Sequence, residues 1–123
     1  MITNQRGFTL IELLVVVIVI AILSSISFTL FNSVQSRSRL ARAQADTRTM
    51  AWAVGAFQTH MGQIPAALAD VSVPQTNVNG EVAGPFMAAH LAPPAGWTYS
   101  YATGGPNGYT ITATGDNTTI TRP

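Results

Sequence analysis

The chain has 123 residues, 47% of them apolar and only 9% charged, with no cysteine. That length allows one small domain beside a single long helix, and the absence of Cys and Lys excludes thiol and Schiff-base catalysis and any disulfide framework. Six Arg face five acids, and a weakly charged, near-neutral chain is poorly protected from self-association, which suits an assembled subunit better than a dilute soluble enzyme.

Met1–Gly7 reads as a short polar leader with Arg6 as its one charge. Phe8-Thr9-Leu10-Ile11-Glu12-Leu13-Leu14 follows, and the apolar run continues through Leu23. No charged residue lies between Glu12 and Arg37. A helix over Leu13–Gln35 measures roughly 35 Å at about 1.5 Å per residue, enough to cross a hydrocarbon core of about 30 Å. Glu12 sits at the start of this run, where its carboxylate must be desolvated in lipid or among packed helices; such a residue is a functional-site candidate. A secretory signal peptide cut near Ser25-Ile26-Ser27 and a plain single-span anchor are competing readings. Glu12 weakens both, because a charge in the apolar region has no role in either.

The helix is expected to continue past the span. Proline first occurs at Pro65, and glycine is absent from Phe8 to Val54. Leu40, Ala43, Thr47, Met50, Val54, Phe57 and Met61 recur at alternating spacings of three and four, one stripe of an amphipathic helix. Arg42 and Asp46 stand four apart and can pair, while Gly62 and Pro65 form a stop signal. The spacing therefore predicts one helix from about Phe8 to Met61. Ser24, Ser25, Ser27 and Thr29 are where side-chain bonding to the backbone would loosen it. Trp52 lies nearly opposite the stripe, either under the following loop or facing a neighbouring subunit.

Residues 62–96 read as an irregular connection, with Pro65, Pro74, Pro85, Pro93 and Pro94, a turn at Asn77-Val78-Asn79-Gly80, and a short helical piece over Phe86–Leu91. From Trp97 onward the chain alternates as half-buried strands do. Trp97–Tyr101, Tyr109–Ala113 and Thr118–Thr121 are separated by turns at Gly104–Gly108 and Gly115-Asp116-Asn117. Trp97, Tyr99, Tyr101, Tyr109, Ile111 and Ile120 form one face, expected to lie on the helical stripe. The fold class is α+β: one long N-terminal α-helix, about 8–61, packed against a small antiparallel three-stranded sheet. The expected organisation is a leader at 1–7, an apolar helix half at 8–36 and a globular domain at 37–123. That domain comprises the amphipathic helix half 37–61, the connection 62–96 and the meander 97–122.

Gly7-Phe8-Thr9-Leu10-Ile11-Glu12-Leu13-Leu14, behind its polar leader, resembles the signal of type IV pilins and type II secretion pseudopilins. The resemblance implies a pilin-like fold and a bacterial inner-membrane precursor with its C-terminal domain outside the cytoplasm. Prepilin peptidase would cut between Gly7 and Phe8 and methylate the new Phe8 amine. The helices would then polymerise into a periplasmic or cell-surface filament, with the Glu12 carboxylate accepting the Phe8 amine of an adjacent subunit. Implied partners are further copies of the chain, the peptidase, an inner-membrane assembly platform and other minor pilins or pseudopilins. Gly84-Pro85-Phe86-Met87, Gly96-Trp97-Thr98-Tyr99 and Gly108-Tyr109-Thr110-Ile111 are more loosely similar in order to G-type major pseudopilins. Those bind calcium through several acids in the final loop, where this chain has only Asp116 beside Asn117. A counting of basic flanks runs the other way, since Arg37, Arg39 and Arg42 follow the span and only Arg6 precedes it; outer-face snorkelling of these Arg would reconcile the two.

Other candidates are weaker. Arg37, Arg39, Arg42 and Arg48 scatter around the helix and would give only weak, salt-sensitive DNA contacts, so nucleic acid is not an expected partner, although a minor pilin in DNA uptake remains an alternative. His60 and His90 are too isolated for a metal site, no Ser-His-Asp arrangement with a nucleophile turn occurs, and neither an enzyme, a cofactor nor a metal is expected. Asn117-Thr118-Thr119 matches a short, common glycosylation sequon. The expected function is a structural filament subunit, of a type II secretion pseudopilus or a type IV pilus. The alternative class is a membrane-anchored binding module that never polymerises.

Overall fold

The computed structural model describes residues 7–88 and 91–123. One helix, α1, runs over Leu10–Met61. Two short strands, β1 (Gln75–Thr76) and β2 (Val82–Ala83), pair with each other. Three longer ones, β3 (Trp97–Thr103), β4 (Tyr109–Gly115) and β5 (Thr118–Arg122), form an antiparallel meander in the order β3-β4-β5. This is the α+β architecture that the periodicities predict. The chain divides into two compact units, one through Ser36 and one from Arg37 to Pro123.

In the first unit the apolar helix side chains are all solvent-facing. Phe8, Leu10 and Ile11 are 90%, 83% and 70% exposed, and no large hydrophobic residue from Leu13 to Val34 falls below 48%. The helix runs unbroken through its hydroxyl-rich stretch. Ser25, Ser27 and Thr29 donate to the carbonyls of Ile22, Leu23 and Ser25 at 2.7, 2.9 and 3.2 Å. These side chains therefore satisfy themselves on their own backbone rather than interrupting the helix.

In the second unit the helical stripe meets the sheet. Ala43, Thr47, Met50, Val54 and Phe57 are buried, with Ala53 added beside them. From the sheet come Trp97, Tyr109, Ile111 and Ala113, also buried, while Tyr99, Tyr101 and Ile120 pack at the edge of the core. The register explains how the indole fits. Trp97 stands opposite Gly115, and a Cβ on Gly115 would lie 2.4 Å from Trp97 Cγ. Trp97 clusters with Ala43 and Ala113. Small residues on helix and sheet thus leave the space that one large ring fills, and the glycine at the end of β4 marks the close approach.

The connection is more ordered than its prolines suggest. Leu68–Ser72 forms a 3₁₀ helix whose Leu68 and Val71 enter the core, together with Met87. Its start is held by Asp70, which accepts from the Ala67 N–H at 2.9 Å. The helical piece expected over Phe86–Leu91 is absent among its described residues: Phe86–Ala88 bends and Leu91 is irregular, while Ala89 and His90 lie outside the described residues. The N–H groups of Phe86 and Met87 both bond the Val71 carbonyl, at 2.9 and 3.0 Å. The Phe86 ring meets Phe57 edge-on at 5.8 Å. Those cross-loop bonds and that packing replace the helix.

Candidate functional site

The N-terminal site is built on the first turn of α1. Thr9 precedes the first helical residue and Glu12 is its third. Thr9 N–H and Thr9 Oγ1 donate to Glu12 Oε2 at 2.8 and 3.0 Å, and the Glu12 N–H donates to Thr9 Oγ1 at 3.3 Å. This is a reciprocal capping box, which satisfies helix-end donors that otherwise lack partners. The four-residue grammar Thr-x-x-Glu at the head of an apolar run was present in the sequence, yet the sequence reading assigned Glu12 only an intermolecular role. Gly7 and Phe8 are exposed just before this box. The leader residues 1–6 lie outside the described residues. Phe8, Thr9 and Glu12 thus lie at one helix start, with the remaining carboxylate oxygen of Glu12 outside the capping bonds.

Four of the nine charged residues of the second unit lie in two networks. Arg39 Nε and Nη2 donate to Asp116 Oδ2 and Oδ1 at 2.9 and 3.1 Å, and Trp97 Nε1 donates to Oδ2 at 3.1 Å. The Arg39 bonds first, then the Trp97 bond, hold the Asp116 carboxyl below its ordinary range, and the same pair raises Arg39. Asp116 and Asn117 occupy the β4–β5 turn with φ of +47° and +57°, the two left-handed positions of a tight hairpin. The final loop's one acid is therefore engaged by an arginine and an indole on a turn. In the other network Arg42 lies 3.6 Å from Asp46, as the i,i+4 spacing predicts, and also donates to the Ala92 carbonyl at 3.2 Å. Tyr99 Oη donates to Asp46 at 2.7 Å; burial, then that carboxylate, pushes the phenol well above its usual value.

Arg39 and Arg42 pair within the domain, with Asp116 and Asp46. One expectation changes. Trp52 is 70% exposed, so it does not pack beneath the connection. Sequence reasoning also missed Arg122, whose Nε donates 3.2 Å to Thr47 Oγ1. Thr47 in turn donates to the Gln44 carbonyl at 3.0 Å. That bond accounts for a buried hydroxyl in an otherwise apolar stripe.

A long N-terminal helix and a small antiparallel three-stranded sheet define an α+β protein. Residues 2–28 match the family described as the prokaryotic N-terminal methylation motif, the prepilin-type signal of type IV pilins and pseudopilins. No curated protein and no solved structure matches the chain. Helix α1 is, by length and composition, long and apolar enough to cross a membrane, which fits membrane anchoring of a pilin precursor.

Proposed function

We propose that the protein is the structural subunit of a type IV filament, cut after Gly7, N-methylated on Phe8 and polymerised through α1. The observation that carries this reading is the methylation motif at residues 2–28 opening directly onto a helix whose apolar side chains are uncovered on every side. Such a surface needs lipid before assembly and neighbouring helices after it. Exchanging lipid for protein costs little in apolar contact, so a specific polar pair is required to set register between copies. Glu12 supplies the anionic half: its Oε2 caps its own helix, and its Oε1 is available to the cationic Phe8 amine of the next subunit. The role is structural rather than catalytic. The machine is a type II secretion pseudopilus or a type IV pilus, with the inner-membrane platform and minor subunits as partners. The engagement of Asp116 by Arg39 replaces the several acids of a calcium-binding final loop, which favours a branch outside the calcium-binding G-type pseudopilins.

The test is the mass of the N-terminal peptide from sheared surface material and from membranes, in wild type and in Glu12→Leu. A chain starting at methylated Phe8 in the sheared fraction, with Glu12→Leu processed but left in the membrane, is the expected result. A chain starting at Met1, or near Ile26 to Phe28, refutes the reading, and normal incorporation of Glu12→Leu refutes the pairing role.

A further inference from the structure

Two exposed patches of the second unit are left without partners among the described residues, and their chemistry is complementary. The first is on α1. Trp52 is 70% exposed, on the face away from the buried Met50, Val54 and Phe57, and Arg48 lies one turn before it, also exposed. The second is the β1–β2 hairpin. Val78 at its tip is 97% exposed and Val82 is 67% exposed, with exposed Glu81 between them in sequence. Among the described residues the ion pairs are Arg39–Asp116 and Arg42–Asp46, so neither Arg48 nor Glu81 belongs to one.

The hairpin is preorganised. Asn77 Oδ1 accepts from the N–H groups of Asn79 and Glu81 at 3.0 and 2.9 Å. Asn77 Nδ2 donates 2.8 Å to Glu81 Oε2, which fixes the carboxylate beside the two valines. Little ordering entropy is therefore left to be lost on docking.

One copy cannot close this contact on itself. The Glu81 carbonyl lies 3.1 Å from His60 Nε2, and the helix from Arg48 to His60 spans roughly 18 Å along the axis. We propose that the Val78–Val82 hairpin of one copy docks on the Trp52 face of the next, with Glu81 paired to its Arg48. The occupant is a second copy because each chain carries both halves: an apolar, anionic knob and an aromatic, cationic seat. Trp and Arg are the residue types that most often dominate interfaces, and charge complementarity fixes register. The two patches differ, so the contact is heterologous and propagates into an open helical array instead of closing a dimer. It rests on the filament reading only for bringing copies side by side.

The chain has no cysteine, which makes crosslinking specific. Thr49→Cys and Asn79→Cys flank the two patches without removing Trp52, Val78 or either charge. With a short bis-maleimide, the double variant is expected to give a ladder of covalent multimers in sheared filaments and in membranes, and each single variant no dimer above background. Adding Arg48→Glu or Glu81→Arg lowers the ladder about tenfold, and the two reversals together restore it. Filaments with no ladder overturn the docking and leave the filament reading standing. Dimers from a single variant overturn the heterologous geometry. Wild type without filaments refutes the filament reading; the membrane samples then decide the docking, and lack of a ladder there overturns it.

Discussion

Replacing Gly115 with Ala tests how the indole of Trp97 is seated. The new Cβ would lie 2.4, 2.5 and 2.7 Å from Trp97 Cγ, Cδ2 and Cδ1, whereas ordinary contact begins at 3.4 Å. The ring must therefore retreat by about 1 Å into a core where it is only 4% exposed, or the strands must part. Overpacking of this kind costs about 1–3 kcal/mol. Ala is otherwise favoured over Gly within a strand by roughly 0.5–1 kcal/mol, which leaves a net loss of up to about 2.5 kcal/mol. The retreat also pulls Trp97 Nε1 from Asp116. With Trp97→Val the obstacle is gone, and the same Gly115→Ala change is expected to become neutral or to stabilise by up to about 1 kcal/mol. Pulse proteolysis in urea on the full chain in mild detergent measures all four corners of this cycle. In a Trp52→Phe background the emission of Trp97 should also shift to the red on Gly115→Ala. Equal losses with and without the indole would refute the account, because they would place the cost in the Gly115 backbone.

Asp116→Asn is expected to lower the urea midpoint at neutral pH. Arg39 and Trp97 hold the Asp116 carboxyl below its usual range in the folded state, so its contribution is present above about pH 4 and is lost as the pH falls through the folded value. The gap between wild type and variant should therefore close on acidification; a gap that is constant with pH would show that the charge is irrelevant. Asn117→Ala is expected to cost about 1–2 kcal/mol, since an alanine at φ +57° is strained, while Asn117→Gly should be neutral or better; equal behaviour of the two would argue against the left-handed turn.

The fold was largely legible because its signals are local. Three-and-four spacing from Leu40 to Met61, two-residue alternation from Trp97 onward, and turn residues at Gly104–Gly108 and Asp116-Asn117 each report one element's own geometry. The connection was less legible. Leu68 and Val71 reach the core from a single turn of 3₁₀ helix, too short for periodicity to register, and Phe86 and Met87 spend their N–H groups on Val71, fifteen and sixteen residues back. Those are long-range choices that no local pattern encodes.

The candidate site divides in the same way. The motif from Gly7 to Leu14 is contiguous, so the sequence by itself determined the N-terminal methylation motif, the apolar helix and the anomalous carboxylate at Glu12. Tertiary structure decided what the other charges do. Asp116 is 77 residues from Arg39, and only folding the meander onto the helix brings them together and takes the final-loop acid for an ion pair. The same packing buried Trp97 against Gly115 and left Trp52 outside. The two tryptophans met opposite fates, because burial depends on which faces the long-range fold covers.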